Sequence, residues 1–445
     1  MWLSTPLLLA CFGFLGIFAT ASPVPIPSIP KPVKPSSNGR KCTVTALGNQ
    51  EDDVTQILEA FEECNNGGTV VFPEGENYYI ATRLNPIIYD VTIEWRGLWT
   101  YSHNPNYWRN NSYSIAFQNH NAGFVITGDR IAINGYGTGG INGSGNTWYT
   151  AEGGDTQPGR PMPFVFWNVS EVVVEHFYVK DSPLWALNIM NGTNMWFDDI
   201  EVNSTAANAP YGANWVQNTD GFDTMDANNI VLTNFRYRGG DDCIAIKPRS
   251  YNISIQNVTC QGGNGIAIGS LGQYLEDSSV VDVHIKDVDI LTVNEDMHNS
   301  AYIKTWIGEL APQDDYESDY LPRGGGWGVV ENIRFENFYV EGAAIGMQVD
   351  QDSGNNGSFS GTSNMKVSNI AFVNFTGWTN STSGNRTAAV SCSARHPCYN
   401  VRMEDISLAT TENGSPANAT GTCKLNAPGG VHGMLGSGCT SSCRT

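Results

Sequence analysis

Three aspartates hold the chemistry this sequence could do. Asp220 stands in Asn218-Thr219-Asp220-Gly221-Phe222-Asp223, and Asp241 and Asp242 stand in Gly239-Gly240-Asp241-Asp242-Cys243. Asp242 follows Asp220 by 22 residues, and Asn264 follows Asp242 by 22 more. Clustered carboxylates repel one another, so at least one pKa rises and protonated and ionised acids stand side by side. Cleaving an acetal needs that mixture: one acid protonates the leaving oxygen while a base activates water. A solitary Asp-Asp pair is more often a turn or a calcium ligand set. Three carboxylates brought into one column by a repeat point to chemistry instead.

The repeat supplies the column. Gly240 to Ile246 (GDDCIAI) is echoed by Gly262 to Ile268 (GGNGIAI), with the apolar Ile-Ala-Ile kept and the polar residues changed. A second pattern recurs through the chain, with Asn or Asp at its first and sixth positions and apolar residues alternating between. It starts at Asn194, Asn229, Asn252, Asp282, Asn332, Asn369 and Asn400, with weaker copies near Arg130 and Glu171. The alternation is that of a half-buried strand. Short strands recurring every 20–30 residues or so, closed by Asn and Gly, describe a β-solenoid, and a propeller blade needs about 40 residues. The fold expected is all-β, a right-handed parallel β-helix forming one catalytic domain over residues 41–445. Val54 to Cys64 (VTQILEAFEEC) reads as a short helix capping its open N-terminal end. Residues one coil apart lie about 4.8 Å from each other. The core therefore repeats, while the positions before each strand form a surface column free to vary.

Composition sets the surroundings. The chain has 445 residues, a formal charge of −20, forty-eight glycines and thirteen Asn-x-Ser/Thr sequons. That charge argues against nucleic acid or an anionic membrane as partner. Residues 1–21 read as a cleaved signal peptide, since Leu7 to Phe18 is too short to span a bilayer and Ala19-Thr20-Ala21 is a small-residue cleavage site. No later stretch is apolar enough to cross a membrane. Residues 22–40, with PVPIPSIPKPVKP, read as an extended Pro-rich linker or pro-segment. A secreted, N-glycosylated monomer is expected. The ten cysteines become nine without the leader. Local pairs Cys42–Cys64, Cys243–Cys260 and Cys392–Cys398 are the disulfide candidates, with Cys423, Cys439 and Cys443 sharing one further bridge.

Four motifs in order, Asn218-Thr-Asp-Gly221, Gly240-Asp-Asp-Cys243, Gly263-Asn-Gly265 leading to Ile268-Gly-Ser-Leu-Gly272, and Tyr302-Ile-Lys304, make the sequence resemble glycoside hydrolase family 28, the polygalacturonase family. The resemblance covers the whole solenoid and implies a pectic substrate, with no cofactor and no metal. It implies Asp241 as general acid, and Asp220 and Asp242 as the base pair holding the attacking water, with inversion at the anomeric carbon. It also implies Asn218, Asn264, Tyr302 and Lys304 as substrate-binding residues, with Lys304 on a galacturonate carboxylate. Two positions depart from the family pattern: Asn264 replaces its usual His, and Tyr302 its usual Arg. A phenol offers a stacking surface in place of a bidentate clamp, which suits a neutral sugar beside the cleaved bond.

The run Gly269 to Tyr274 and the run Ala301 to Trp306 resemble the fungal exo-acting branch. The 50 residues from Asp282 to Asn332 leave room for a loop that walls off one end of the cleft, with Trp306, Tyr316, Tyr320 and Trp327 as candidate sugar platforms. The expected activity is release of galacturonic acid from the non-reducing end of pectic chains. Alternatives are an exo-rhamnogalacturonan galacturonohydrolase, a calcium-dependent pectate lyase on the same fold, and a non-catalytic polysaccharide binder. Lys247 and Arg249 could serve either the substrate or the turn, and His284 reads as a solvated outward residue.

Overall fold

The computed structural model describes residues 28–293, 297–315, 317, 319, 321–353, 359–424 and 430–439. The expected signal peptide, Tyr316, Tyr320 and Cys443 lie outside the described residues.

Short strands stack in parallel, coil upon coil, into a right-handed parallel β-helix. The strand Phe222–Arg238 shows how one coil is made. It turns corners at Asp226, Asn229 and Asn234, all with positive φ. Asn and Asp tolerate that left-handed backbone at little cost, which is why the recurring motif begins and ends with them. Positive φ recurs at Asn194, Asn252, Asp282, Asn332, Asn369 and Asn400.

The side chains at these corners stack as well. Asn229 Nδ2 donates to Asn194 Oδ1 at 2.8 Å, and Asn194 Nδ2 to Glu171 Oε1 at 2.7 Å. Asn400 reaches Asn369 at 2.8 Å, Asn369 reaches Asn332 at 3.4 Å, and Asn332 reaches Asp282 at 2.8 Å. At the second corner, Asn374 reaches Asn337 at 2.9 Å and Asn337 reaches Asp287 at 2.8 Å, while Asn257 reaches Asn234 and Asn234 reaches Asp198, both at 2.6 Å.

The 22-residue echo is a register. Phe222, Asp223 and Thr224 pair with Ile244, Ala245 and Ile246, which pair in turn with Ile266, Ala267 and Ile268. Ile244, Ile246, Ile266 and Ile268 are fully buried, each worth about 1.5–3 kcal/mol of apolar burial. Aromatic stacks extend the core, with Phe335 on Phe372 at 5.1 Å and Phe338 on Phe375 at 4.6 Å.

The N-terminal end is closed. The helix Val54–Glu63 buries Val54, Ile57, Ala60 and Phe61 over the first coil, and the Cys42–Cys64 disulfide ties it to the strand Lys41–Thr43. Cys243–Cys260, Cys392–Cys398 and Cys423–Cys439 are also bonded. The Pro-rich segment from residue 28 is extended but anchored. Val33 N donates to Glu171 at 2.6 Å, Ser36 N to Asp90 at 3.1 Å, and Trp196 Nε1 to the Pro30 carbonyl at 3.2 Å.

Candidate active site

The turns before two consecutive rungs bring the acids together. One carboxylate oxygen from each of Asp220, Asp241 and Asp242 lies within 4.8 Å of the others. Straight strands would point Asp241 and Asp242 to opposite sides. The chain bends at Gly239 and Gly240 instead. A Cβ on Gly240 would meet Val216 Cγ2 at 2.7 Å, so that turn accepts no side chain. The buried Tyr237 hydroxyl accepts from Asp241 N at 3.1 Å and lies 3.1 Å from the Thr219 carbonyl, joining two rungs from below.

Each acid has its own partners. Asp241, partly exposed, accepts from Asp242 N at 2.9 Å and Asn264 Nδ2 at 3.1 Å on one oxygen, and from Asn218 N at 3.0 Å on the other. Burial and then Asp242 push its carboxyl up, and Lys304 with two of these hydrogen bonds recovers only part of the shift. An acid that keeps its proton longer than usual is what a proton donor requires. Asp242, buried, accepts from the Tyr302 hydroxyl on Oδ1 and from Lys304 Nζ at 3.0 Å on Oδ2. Asp220 is 3% exposed and its Oδ1 receives no hydrogen bond among the described residues. Burial, then Asp223 and Asp241, raise it well above the usual carboxylate range.

A fourth acid, Asp223, sits behind these. It is 2% exposed, neither oxygen receives a hydrogen bond among the described residues, and burial pushes it up to about 7 despite Lys247. Lys247 answers it, with Nζ 3.6 Å from Asp220 Oδ2, 4.0 Å from Asp223 Oδ1 and 3.9 Å from the Trp185 ring centroid. Burial pulls the Lys247 ammonium down, but Asp223 and Asp220 outweigh it and the net shift is upward. Asp220 and Asp223, each raised by burial beside other carboxylates, therefore share their protons rather than titrate independently.

Two excursions meet over this face. One contributes the strands Tyr113–Ile115 and His120–Ala122, which pair as a hairpin beside Pro161–Met162. The other leaves the solenoid after Trp306 and returns at Trp327. They are bonded to each other through the segment after Leu271. Gln118 N donates to the Tyr274 hydroxyl at 2.9 Å, Gln118 Nε2 to Gln273 Oε1 at 3.2 Å, and Gly324 N to the Gln273 carbonyl at 2.7 Å. His120 lies edge-on to Trp185 at 4.4 Å and is held neutral, its pKa lowered to about 3 by burial with Lys247 and Arg323 adding. Burial raises Glu317, which feels both Arg323 and Asp241. Together the two excursions form a wall beside the acids.

The structure thus gathers Asp220, Asp241, Asp242, Asn218, Asn264, Tyr302 and Lys304 in one place. Tyr302 and Lys304 are spent on Asp242, and Tyr302 is 5% exposed, so it offers no open stacking face. Trp306 is buried under Arg323 at 4.5 Å, and Trp327 is exposed. Arg249 belongs to the turn, bonded to Asp226 and to the Asp277 carbonyl at 2.9 Å. His284 is not solvated: it is 2% exposed and its Nε2 lies 2.8 Å from Glu336, because the neighbouring rung covers it. The sequence reading passed over Asp223, Trp185, His120 and Arg323. Only Asp223 had a signal, as the outward-facing residue of the Asn218–Asp223 motif.

The sequence profile of Glycosyl hydrolases family 28 matches residues 69–427. Over 400 residues the chain is 66% identical to an Aspergillus niger protein provisionally named galacturan 1,4-alpha-galacturonidase C, covering 90% of this chain and 94% of that one. It is 31% identical over 395 residues to an exopolygalacturonase of Cochliobolus carbonum, with 86% and 84% covered. Among solved structures, the endo-xylogalacturonan hydrolase of Aspergillus tubingensis matches with a TM-score of 0.76 at 24% identity, over 90% of this chain and 100% of that one, a likeness of fold.

Proposed function

The chain belongs to glycosyl hydrolases family 28 and is a glycoside hydrolase, and on that premise we propose that it releases galacturonic acid from the non-reducing end of pectic chains. Its relatives named galacturonidase and exopolygalacturonase support the substrate. The observation that carries the exo reading is the wall: two excursions bonded to each other beside a three-carboxylate column.

In this reading Asp241 protonates the leaving oxygen, its proton retained by burial and by Asp242. Asp242, oriented by Lys304 and Tyr302, takes the proton of a water held between it and Asp220. Inversion follows from the family resemblance and not from spacing. The three carboxylates lie within 4.8 Å, tighter than the ~6.5–9.5 Å of most inverting enzymes.

Family membership sets aside the lyase and binder readings. The rhamnogalacturonan alternative drew on Tyr302 as a stacking surface, and with its hydroxyl on Asp242 that support is gone. Secretion, N-glycosylation and a monomeric state complete the proposal. The apolar run and cleavage site of residues 1–21 support secretion, and among the described residues no helix is long and apolar enough to cross a membrane.

The deciding experiment is a proton NMR time course on trigalacturonate. Galacturonic acid appearing first as the β-anomer is the expected result. An α-anomer refutes inversion, mid-chain products from longer oligomers refute exo action, and no release of galacturonic acid refutes the substrate.

A further inference from the structure

A uronic acid brings a carboxylate to a site that already holds four aspartates, so its recognition requires cations with donors to spare. Of the two positions expected to supply them, only Lys304 keeps a donor, one N–H left beside its bonds to Asp242 and the Tyr302 hydroxyl. Lys304 Nζ is bonded to Asp242 at 3.0 Å, and Tyr302, also committed to Asp242, stands where an arginine was expected. We propose that the carboxylate of the terminal galacturonate is bound by Lys247, with Arg323 beside it, a subsite that rests on the exo-galacturonidase reading above.

Lys247 is 4% exposed, yet its ammonium makes no hydrogen bond among the described residues. Its nearest acceptors, Asp220 Oδ2 at 3.6 Å and Asp223 Oδ1 at 4.0 Å, are both beyond hydrogen-bond length. Three N–H donors on a buried ammonium without an acceptor in reach are a costly arrangement for a purely structural residue. The cost is recovered when a carboxylate arrives.

The register gives the direction. Ile246, Ile268 and Ile303 pair in successive rungs, so Lys247, Gly269 and Lys304, each one residue further on, share a column on the face that bears the acids. Trp185 covers the Lys247 ammonium at 3.9 Å, and His120 lies edge-on to the same ring, which places Lys247 at the foot of the hairpin wall.

Arg323 reaches the same wall from the other excursion. It is 3% exposed and stacked on Trp306 at 4.5 Å, with Nη2 donating to both oxygens of Asp315 at 2.9 Å. Its Nε and Nη1 make no hydrogen bond among the described residues, Glu317 being 3.6 Å from Nη1. One edge of the guanidinium is fixed by Asp315, and the remaining donors are buried without a hydrogen bond among the described residues. Both cations thus stand against the wall made by the two excursions, where the exo reading puts the last sugar of a chain.

The test compares two substrates on three proteins: trigalacturonate, and trigalacturonate methyl-esterified at the non-reducing terminal carboxyl, with wild type, Lys247→Met and Lys247→Arg. Wild type prefers the free acid. Lys247→Met narrows the acid-to-ester ratio of kcat/KM roughly 10- to 100-fold, the size of one charge-assisted hydrogen bond, on top of any loss common to both substrates through Asp220. Lys247→Arg retains the preference. Equal losses on both substrates overturn the inference and leave Lys247 a partner of Asp220 and Asp223 alone, as does an unchanged acid-to-ester ratio.

Arg323→Lys serves as the second variant should Lys247→Met not fold, and it must narrow the same ratio. An unchanged ratio there also overturns the inference. Wild type releasing nothing from trigalacturonate refutes the exo-galacturonidase reading instead, a distinguishable failure.

Discussion

Replacing Asp223 with Asn changes no volume and removes one ionisable group from the centre of the site. Burial holds the folded-state pKa of Asp223 at about 7, against 3.8 for a free carboxylate. For an acid shifted upward, the stability it contributes is complete below its unfolded pKa. That stability is lost as the pH rises through the folded value, because the unfolded chain releases the proton first. About three units at about 1.36 kcal/mol each give a loss of about 4 kcal/mol between pH 4 and pH 8. Asn cannot ionise and escapes it. The variant should match wild type or fall slightly below it at pH 4, and gain on it steadily towards pH 8. With an unfolding entropy of about 2.1 cal/mol/K per residue, a chain of this length shifts its Tm by only about 1 °C per kcal/mol, so the gap opens by roughly 4–5 °C. Thermal unfolding followed by circular dichroism at pH 4, 6 and 8 measures it. Asp223 also raises Asp220, so its removal relieves that carboxyl too and adds to the gap in the same direction. A gap that stays constant across the three pH values would refute a proton held by Asp223.

Further changes probe the scaffold. Tyr237→Phe removes the hydroxyl that bonds Asp241 N and approaches the Thr219 carbonyl; a stability loss of about 1–3 kcal/mol with a fall in kcat is expected in urea unfolding and steady-state assays. The Cys243→Ala, Cys260→Ala double variant opens a disulfide spanning 17 residues directly after the acid pair, and loop entropy predicts about 3 kcal/mol in denaturant unfolding. Gly269→Ala is strained at φ +135°, and its Cβ would meet Lys304 Cγ at 2.7 Å as well as the Lys304 carbonyl oxygen. It should cost about 1–3 kcal/mol by overpacking and lower kcat by moving Lys304 off Asp242.

Periodicity made the solenoid readable. Ile244 and Ile266 repeat at the interval of one coil, and Asn at the corners marks where left-handed backbone is needed. The same register places Asp220, Asp242 and Asn264 in one column. What the sequence hid lies off the register. The hairpin around Gln118 and His120 has no period, and its meeting with Tyr274 joins residues 156 apart. Tyr302 was read from its chemistry as a sugar platform, but its rung points the hydroxyl at Asp242, a matter of depth that residue type does not reveal. His284 sits on an outward position, as its alternation says. Yet its neighbour one rung on is Arg334, paired with Glu336, and that pair turns an outer face into a buried one.

The corner amides have a direction. In every link of the asparagine ladders described above, the donor lies on the later coil and the acceptor on the earlier one, and each run ends on a carboxylate: Glu171, Asp198, Asp282 or Asp287. A carboxylate cannot donate, so no run needs anything from a coil further back than its own terminus. A coil leaving the ribosome therefore finds its acceptor already made. It brings its own donor, and leaves only its amide oxygen for the coil that follows. The ladders let this chain be built as it is read, one coil onto the last from the N-terminal cap forward.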